Sequence, residues 1–392
     1  MLQMIDIANI DCIVIGAGFC GSVVARKLAE QNRKVLIIER RNHIAGNMYD
    51  EIDENGILVQ RYGPHIFHTN SEDAYEFIIK YDTWIDYLHQ PAVEIDGLIT
   101  PSPANFTTID LLYSSEEAKN LKTRLQTRYG GQKTAAIFDL LGCEDEAIRQ
   151  YAEKLYTLNY LPYTAKQWGV PPEEIDPSVL QRVPVRLDYT NGYFDDTYQC
   201  MPEQGYTHFF KNLLDHKNIK VQLNTDVLEV ITVDMQKKTL LFKNKPVAVP
   251  VVFTGAIDAM LNYRYGNLPY RSLRFDYQSK NTDSFQEAPV VAYPKAEAYT
   301  RITEYKKLPL QNISGLTTIA YEYPLPAGKN ESNEPYYPVL NDNNIALYNK
   351  YLRDLQDIPN LFICGRLADY KYYNMDAAIL RAFDIGKVLE KG

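Results

Sequence analysis

The feature that most constrains how this 392-residue chain can fold is a glycine-rich motif near its N-terminus. The motif occupies residues 16–21 (GAGFCG) and directly follows an apolar run, residues 12–15 (CIVI), of the kind that forms a buried parallel strand. Apolar residues then recur at helical spacing over residues 23–29, and a second apolar run follows at residues 34–38 (KVLII). This order of strand, glycine-rich turn, helix and strand predicts one complete βαβ unit and a parallel sheet.

Each glycine of the motif has its own role in a dinucleotide-binding turn. Gly16 allows a tight turn, Gly18 lets the backbone approach a pyrophosphate, and Gly21 permits close packing of helix on strand. Glu39 follows Gly21 by 18 residues, at the end of the second strand, where a carboxylate accepts a hydrogen bond from a ribose hydroxyl. The constellation predicts bound FAD or NAD and is compatible with either.

Charge and cysteine content exclude several classes of partner. Lys and Arg total 41 against 50 for Asp and Glu, and the net charge of −9 disfavours a nucleic-acid or membrane surface. The five cysteines include no CxxC pair, so neither a zinc site nor a disulfide framework is predicted. The sequence shows no signal-peptide pattern and no run of 18 apolar residues. We therefore expect a cytoplasmic protein that binds no nucleic acid, membrane or metal.

The segment after Glu39 favours flavin over nicotinamide. Arg40 follows at once, and a loop that contains Gly46 and Asn47 comes next. A glycine-containing loop at this place resembles the second phosphate and flavin contact of the large FAD-dependent family with an extended dinucleotide fold. Arg366 follows a late apolar run, where the same family returns a strand and helix to the flavin and an arginine can pair with phosphate.

The rest of the chain divides by its hydrophobic pattern. Helical spacing extends over residues 71–156, with N-cap signals at residues 114–117 (SSEE) and 143–146 (CEDE). Between about residues 183 and 338, β-type runs dominate, and residues 360–388 return to a strand and a helix that would complete the first sheet. We expect an α/β protein with three parts: an FAD-binding Rossmann-like domain (extended dinucleotide fold) from residues 1–72, 205–258 and 343–392, an inserted helical domain over residues 73–178, and a mixed or antiparallel β-sheet domain over residues 179–204 and 259–342.

Residues 62–70 (YGPHIFHTN) resemble one particular family, the flavin-dependent UDP-galactopyranose mutases of the bacterial type. Seven further blocks resemble that family in the same order: residues 163–169 (YTAKQWG), 182–186 (RVPVR), 191–194 (NGYF), 270–273 (YRSL), 299–302 (YTRI), 334–338 (EPYYP) and 365–373 (GRLADYKYY). The resemblance extends from about residue 11 to residue 390. So many blocks in the right order exclude coincidence.

The resemblance implies an isomerase that interconverts UDP-galactopyranose and UDP-galactofuranose without net redox change. It implies FAD that is active when reduced: flavin N5 attacks the anomeric carbon, UDP leaves, and the sugar–flavin adduct opens to an iminium before the ring recloses and UDP returns. It also implies a UDP-sugar substrate and a homodimer.

The same resemblance assigns roles to individual residues. Arg182 and Arg301 match the catalytic arginines that clamp the diphosphate, a task that suits guanidinium groups. The residues that match substrate-binding positions are Tyr160, Tyr163, Thr164, Trp168, Tyr193, Tyr337, Tyr372 and His68. The residues that match cofactor-binding positions are Gly16, Gly18, Gly21, Glu39, Arg40, Gly46, Asn47, His65, Val227, Arg366, Asn374 and Met375. No motif sets a carboxylate beside His65 or His68.

Two departures from the family pattern bear on the flavin site and on the substrate, respectively. Asn374 stands where the family has Asp, at the start of the C-terminal helix, and Asn159 adds an amide beside Tyr160 where relatives carry two phenylalanines against the uracil. A mutase that acts on another UDP- or dTDP-sugar therefore stays open. So do an FAD-dependent oxidoreductase of the same fold and a non-catalytic flavin- or nucleotide-binding protein.

Overall fold

The computed structural model describes residues 7–169, 171, 183–327 and 333–390. Its strands are β1 (Cys12–Ile15), β2 (Val35–Ile38), β3 (Asp50–Ile52), β4 (Leu58–Gln60), β5 (Phe67–Thr69), β6 (Trp84–Asp86), β7 (Ala92–Ile95), β8 (Leu98–Pro101), β9 (Thr134–Ala135), β10 (Val185–Arg186), β11 (Tyr198–Pro202), β12 (Ile219–Gln222), β13 (Ile231–Asp234), β14 (Thr239–Phe242), β15 (Lys245–Pro246), β16 (Val251–Phe253), β17 (Tyr270–Lys280), β18 (Val290–Ala292), β19 (Arg301–Glu304), β20 (Thr317–Ala327), β21 (Tyr337–Pro338) and β22 (Leu361–Ile363). Its α-helices are α1 (Phe19–Glu30), α2 (Glu72–Ile79), α3 (Phe106–Leu112), α4 (Ser115–Arg128), α5 (Ile137–Leu141), α6 (Glu146–Leu155), α7 (Leu161–Trp168), α8 (Tyr206–Leu214), α9 (Ile257–Met260), α10 (Asp342–Leu355) and α11 (Met375–Glu390).

A parallel sheet of five strands, in the order β12-β2-β1-β16-β22, forms the dinucleotide-fold part of the molecule. Cys12 lies opposite Val35 and Ile15 opposite Ile38, so the two predicted strands pair along their whole length. All residues of β1, β2 and β16 are buried, as expected for parallel strands covered on both faces. The predicted βαβ unit is confirmed, and the predicted C-terminal strand completes this sheet as β22.

Alternate residues of the central strands enter two different cores, one on each face of the parallel sheet. On one face, α1, α8 and α11 pack together, with the ring of Phe19 centred 4.9 Å from that of Phe210. On the other face, α10 and the hairpin of β13 and β14 contribute the buried side chains. The cores therefore hold the carboxyl ends of the parallel strands in fixed positions.

The helical expectation for residues 71–156 holds for most of this region and is wrong for residues 84–101. Helices α2 to α6 form as expected, and Ser114 and Glu117 make a reciprocal capping box at the start of α4. The chain between α2 and α3 instead forms β6, β7 and β8. Strand β6 pairs with β11, and β7 joins the largest sheet, so pairing with distant strands decides the structure of this stretch.

The largest sheet has seven strands in the order β21-β17-β20-β19-β18-β7-β8. Its pairs are antiparallel except for β18 with β7, which confirms the predicted mixed sheet. In its register Arg301, the first residue of β19, lies directly opposite Glu322 of β20. In the part of the chain that the structure describes, no helix combines the length and the apolar character needed to cross a membrane.

Candidate functional site

A cleft opens where the parallel strands end. Gly16 follows β1, Glu39 follows β2 and Arg366 lies shortly after β22, so separate segments meet at one sheet edge. The predicted cofactor-binding residues that line this cleft are Gly16, Gly18, Gly21, Glu39, Arg40, Gly46, Asn47, Val227, Arg366, Asn374 and Met375. His65, also predicted to bind the cofactor, is not among the lining residues.

The glycines shape this cleft by contacts that any side chain would block. An added Cβ on Gly21 would lie 2.0 Å from the carbonyl oxygen of Gly16, so glycine lets α1 begin close to the end of β1. Gly46 has φ +57°, and its added Cβ would lie 2.9 Å from the Cα of Gly18. Two loops thus meet through bare backbone at the N-terminus of α1, and this arrangement fits the phosphates of a dinucleotide.

Glu39 is held by the backbone of both neighbouring loops. One carboxylate oxygen accepts a hydrogen bond from the N–H of Ala17 at 2.8 Å, and the other accepts from the N–H of Arg41 at 2.9 Å. Because each carboxylate oxygen has a further lone pair, Glu39 can also accept from a ribose hydroxyl. The carboxylate is therefore oriented before any ligand binds.

Arg40 and Arg41 form an ion cluster with Glu334, a residue from the far side of the cleft. The guanidinium groups of both arginines contact the carboxylate of Glu334, and Arg41 also donates to Asn47 Oδ1 at 2.9 Å. Burial alone would raise the pKa of Glu334, but the charges of Arg41 and Arg40 hold it below its usual value. The cluster joins the loop after β2 to the segment before β21.

The second part of the site is centred on Arg301. Its Nε and Nη2 atoms both lie 2.7 Å from Oε2 of Glu322, whose side chain is 2% exposed. The pKa of Arg301 is raised because the charge of Glu322 outweighs the effect of burial. A permanently charged guanidinium is thus fixed at the start of β19, as binding of a diphosphate requires.

Tyrosines surround the Arg301 guanidinium. Burial raises the pKa of Tyr163 and of Tyr193, and the positive charge of Arg301 acts on both in the opposite sense. Tyr337 also lies in the field of Arg301, and its ring stacks on that of Tyr372 with centroids 5.6 Å apart. Burial also raises the pKa of Tyr337, so Tyr163, Tyr193 and Tyr337 each keep a hydroxyl that can donate to a ligand.

Arg366 connects the tyrosines with the dinucleotide cleft. It lines the cleft, and its guanidinium carbon lies 5.1 Å from the ring centre of Tyr337 and 5.2 Å from that of Tyr372. Its Nη1 and Nη2 atoms also donate to the carbonyl oxygens of Tyr336 and Tyr373. The two predicted sets of residues therefore adjoin each other at Arg366.

The two predicted histidines differ in their surroundings. His65 Nδ1 lies 2.8 Å from the carbonyl oxygen of Gly63, and burial together with the charge of Arg366 lowers its pKa to about 3. His68 stacks on Phe194 at 3.6 Å, and its Nδ1 lies 2.7 Å from Oδ2 of Asp196. The motifs gave no carboxylate partner for His68, and Asp196 is that partner.

The remaining substrate-binding candidates lie on α7 and the π-helical turn that precedes it. The hydroxyl of Tyr160 donates to the carbonyl oxygen of Val183 at 2.8 Å. The hydrogen of this hydroxyl is therefore already engaged in an intramolecular hydrogen bond. Thr164 is buried, and Trp168 is half-buried as the last residue of α7. Arg182, the other predicted catalytic arginine, lies outside the described residues.

Sequence reasoning missed three residues on the Arg301 side of this site: Glu322, Asp196 and His89. Glu322 and Asp196 orient Arg301 and His68 from positions 21 and 128 residues away, where no local motif could indicate them. His89 is buried beside Tyr193, and its pKa is lowered to about 3 by burial and by the charges of Arg301 and His68.

Known proteins resemble this chain over most of its length. A family model described as UDP-galactopyranose mutase matches residues 159–372, and one described as NAD(P)-binding Rossmann-like domain matches residues 14–80. The chain is 36% identical over 378 residues to UDP-galactopyranose mutase of Mycoplasma pneumoniae, covering 95% of this chain and 94% of that protein. It is 37% identical over 387 residues to dTDP-fucopyranose mutase of Escherichia coli, covering 97% and 98%. A crystal structure of reduced UDP-galactopyranose mutase matches with a TM-score of 0.70 at 17% identity, covering 97% of this chain and 94% of that one.

The glycine-rich βαβ unit and the cleft at its strand ends define a dinucleotide-binding α/β protein of the Rossmann type. Beside that cleft lies a site built from arginine and tyrosine. The chain belongs to the UDP-galactopyranose mutase family. It is accordingly an isomerase, and the fold and the family expected from the sequence are confirmed.

Proposed function

We propose that this protein interconverts UDP-galactopyranose and UDP-galactofuranose. The observation that carries the proposal is the Arg301 guanidinium, fixed by Glu322 beside Tyr163 and Tyr337 and adjoining the dinucleotide cleft through Arg366. A diphosphate needs such a fixed cation, whereas an oxidase that acts on an apolar amine has no use for one. The UDP-galactopyranose mutase relative of Mycoplasma pneumoniae supports the same sugar nucleotide.

The cofactor that we propose is FAD, active in its reduced state. Gly16, Gly18 and Gly46 would hold its pyrophosphate against the N-terminus of α1, and Glu39 would bind its ribose. When bound, reduced FAD supplies the nucleophile for the anomeric carbon of the sugar. Arg366 would supply positive charge between FAD and substrate, because it lines the cleft and contacts the tyrosines.

The chain's own residues then have separable tasks. Arg301, and by resemblance Arg182, would bind the diphosphate and balance the negative charge that grows on it as its bond to the sugar breaks. Tyr193, Tyr337 and Tyr372 would donate hydroxyl hydrogen bonds to the diphosphate or the sugar. Neutral His65 carries its proton on Nδ1 toward the carbonyl of Gly63, so its Nε2 is an acceptor.

Wider properties follow from the same proposal. We infer a homodimer in the cytoplasm that supplies furanose units for cell-surface glycans. The domain division inferred from the sequence stays part of the proposal, with the FAD-binding domain drawn from residues 1–72, 205–258 and 343–392. Sedimentation of the purified protein tests the dimer, and limited proteolysis tests the domain boundaries.

Anaerobic turnover tests the central proposal directly. Purified holoenzyme reduced with dithionite is mixed with UDP-galactofuranose, and the product is separated by chromatography. We expect UDP-galactopyranose from the reduced sample and no conversion by the oxidised sample. In a separate aerobic assay without dithionite, hydrogen peroxide formed from O₂ in equal amount to the substrate consumed would instead establish the oxidase alternative.

Two arginine variants test the diphosphate clamp. Arg301→Ala and Arg182→Ala should each lower turnover by about 10²-fold or more while FAD stays bound, because a fixed cation is removed from the developing negative charge. Arg264→Ala is the matched control, since Arg264 is a surface residue paired with Asp354. Unchanged turnover in an Arg301 or Arg182 variant would mean that the assignment of that arginine is wrong.

A second candidate substrate is a dTDP-linked sugar. The dTDP-fucopyranose mutase of Escherichia coli is 37% identical to this chain, and Asn159 brings an amide next to Tyr160 where the family pattern has an apolar pair. Turnover of UDP-galactose and dTDP-fucose at equal concentration decides between them. Asn159→Phe should shift the ratio of kcat/KM values toward the uridine nucleotide, because it replaces the amide beside Tyr160 with an apolar ring.

A further inference from the structure

Lys166 links α7 to the connection that leads into Arg301. Its ammonium group donates to the carbonyl oxygen of Tyr293 at 2.8 Å and to that of Tyr299 at 3.0 Å. Tyr293 directly follows the last residue of β18, and Tyr299 stands two residues before Arg301, the first residue of β19. The N–H of Tyr293 also donates to the carbonyl oxygen of Thr300 at 2.8 Å, which closes the connection. One side chain of α7 therefore holds both sides of the connection between β18 and β19.

The ammonium group of Lys166 makes these contacts without a counter-ion. In the part of the chain that the structure describes, no carboxylate pairs with this half-buried side chain. Burial lowers the pKa of the ammonium group to about 8. Because the charged form is less favourable in the fold than in the unfolded chain, a gain in stability through an ion pair does not explain this residue. Its two hydrogen bonds do have a clear geometric effect, since they fix α7 to the seven-stranded sheet.

The two elements that Lys166 joins carry different parts of the candidate site. Helix α7 holds the substrate-binding candidates Tyr163, Thr164 and Trp168, and β19 begins with Arg301. Tyr163 lies three residues before Lys166, on the same side of the helix, and its phenol is in the field of Arg301. The hydrogen bonds of Lys166 therefore fix the helix that carries these side chains beside the guanidinium.

We infer that Lys166 is a positioning residue that holds the nucleoside side of the substrate site, at α7, in a fixed place relative to the diphosphate clamp on β19. This inference rests on the proposed function and adds to it a residue that acts through α7. A nucleoside diphosphate spans both elements, so its affinity depends on their relative position. A nucleoside or a pyrophosphate needs only one of them.

The test compares the affinities of UDP, uridine and inorganic pyrophosphate for wild type and K166M, with oxidised, FAD-loaded protein. UDP is titrated by calorimetry, and the two fragments are measured by their competition with UDP. Methionine is about as long as lysine and has no donor, so K166M keeps the packing and removes both hydrogen bonds. We expect the affinity for UDP to fall about tenfold, and the affinity for each fragment to stay within about twofold of the wild type.

Three further variants separate positioning from a general loss of structure. K166R keeps a charged donor group, so it should bind UDP more tightly than K166M does. Lys154→Met changes a lysine of α6 that pairs with Asp96 at 3.5 Å, and it should leave all affinities unchanged. The double variant K166M/R301A should bind UDP within about twofold of R301A, because Lys166 acts by placing α7 relative to Arg301.

Each outcome of these measurements decides the role of Lys166. The inference is wrong if K166M binds UDP as tightly as the wild type, or if it loses UDP and uridine equally. If K166M does not retain FAD, K166Q takes its place, because its shorter side chain cannot reach both carbonyl oxygens. A wild type that binds neither UDP nor dTDP would refute the proposed function, and this inference with it. Wild-type binding of UDP that K166M keeps in full would refute the inference alone.

Discussion

At the scale of the residue, the position of Arg301 depends on a carboxylate that no sequence motif indicates. Arg301 and Glu322 are 21 residues apart in the chain and face each other across neighbouring antiparallel strands. Both guanidinium contacts go to one oxygen of Glu322, and the other oxygen accepts from the hydroxyl of Thr300 at 3.3 Å. The register of β19 and β20 therefore determines where the Arg301 guanidinium lies, and with it where the diphosphate would be bound under the proposed function.

Replacing Glu322 by glutamine should show how much of the site depends on this ion pair. Arg301 would keep a polar neighbour of the same shape and lose its compensating charge, so the free energy of unfolding should fall by about 3 kcal/mol. The KM for the sugar nucleotide should rise as well, because the guanidinium is no longer held. Thermal unfolding and steady-state kinetics measure the two effects. Glu153→Gln, at an exposed helical ion pair with Arg149, should change neither by a measurable amount. Equal effects in the two variants would refute the structural role of Glu322.

The buried histidines make stability depend on pH in a predictable direction. The pKa values of His65 and His89 are lowered from 6.5 to about 3, the first cause being burial. Between those pH values the unfolded chain binds more protons than the folded one, so acidification below pH 6.5 should destabilise the protein. Each histidine contributes up to about 1.4 kcal/mol per pH unit.

Unfolding midpoints of wild type and H89N between pH 7 and pH 4.5 measure this linkage. The difference between the two proteins isolates His89, because every other titrating group is common to both. As the pH falls, we expect the free energy of unfolding to decrease less steeply in H89N than in the wild type. The difference in slope should correspond to about one bound proton. His216→Asn should follow the wild type. Parallel pH dependences for wild type and H89N would show that His89 is not held neutral by the fold.

Some residues of the site can be read from sequence, and others become visible only in the folded chain. Gly16, Gly18 and Glu39 were predictable because their roles depend on the few residues around one turn and one strand end. Asp196 and His89 were not, because strand pairing and ring packing bring them to His68 and Arg301 from distant parts of the chain. Residues whose role depends on a single turn or strand end can therefore be predicted from local sequence. Partners that strand pairing or ring packing brings from distant segments cannot.

At the scale of the element, the hairpin of β7 and β8 carries a local turn signal within a region of helical spacing. Asp96 and Gly97 separate the two strands, with φ values of +57° and +81°. The pair Asp-Gly between strand-like runs is a strong hairpin signal, and it stood within a region whose neighbours have helical spacing. In contrast, the capping box of Ser114 and Glu117 was predictable because all its groups lie within four residues.

The junction between the loop that contains Gly46 and the start of α1 can be tested by a single methyl group. Gly46→Ala would set a Cβ 2.9 Å from the Cα of Gly18, so the loop must move away from the phosphate-binding turn. We expect the purified variant to contain less than about a tenth of the FAD of the wild type, measured by flavin absorbance per protein.

Gly97→Ala is a matched control for this variant. Gly97 also has a positive φ, of +81°, and an added Cβ there meets nothing within 4 Å. Gly97→Ala should therefore lose about 1 kcal/mol of unfolding free energy to strain in the left-handed conformation, and it should retain its FAD. If both variants lose FAD alike, backbone strain rather than the contact with Gly18 is the cause.

At the scale of the whole molecule, the site forms where separate segments of the chain meet at the carboxyl edge of the parallel sheet. The parallel sheet takes strands from residues 12–38, 219–222, 251–253 and 361–363, and the seven-stranded sheet takes its strands from the segments between them. The hydrophobic patterns predicted both sheets, except for β7 and β8 of the seven-stranded sheet, which lie in a region that was expected to be helical. How the two sheets meet depends on side chains that contact one another only in the finished fold.

Glu334 connects the two sheets beside the dinucleotide cleft through its backbone and its side chain. Its carbonyl oxygen accepts from the hydroxyl of Ser272 in β17 at 2.6 Å, which anchors it to the seven-stranded sheet. Its carboxylate contacts Arg40 and Arg41, which follow the last strand residue of β2 in the parallel sheet. Glu334, Arg40 and Arg41 all line the cleft, so a dinucleotide bound there would lie close to this ion cluster.

Glu334→Gln should therefore release FAD roughly fivefold faster than the wild type, since an ion pair of about 1 kcal/mol no longer holds the cleft closed. Dilution of the loaded protein, followed by the recovery of free-flavin fluorescence, measures the rate. High salt should accelerate release from the wild type and have little effect on the variant, because the screened ion pair is already absent there. Glu51→Gln, which removes a surface ion pair with Arg61, should release FAD at the wild-type rate and keep the wild-type salt dependence. If Glu334→Gln keeps both the release rate and the salt dependence of the wild type, the prediction is wrong. Packing between the sheets would then retain FAD, and the ion cluster would make no measurable contribution.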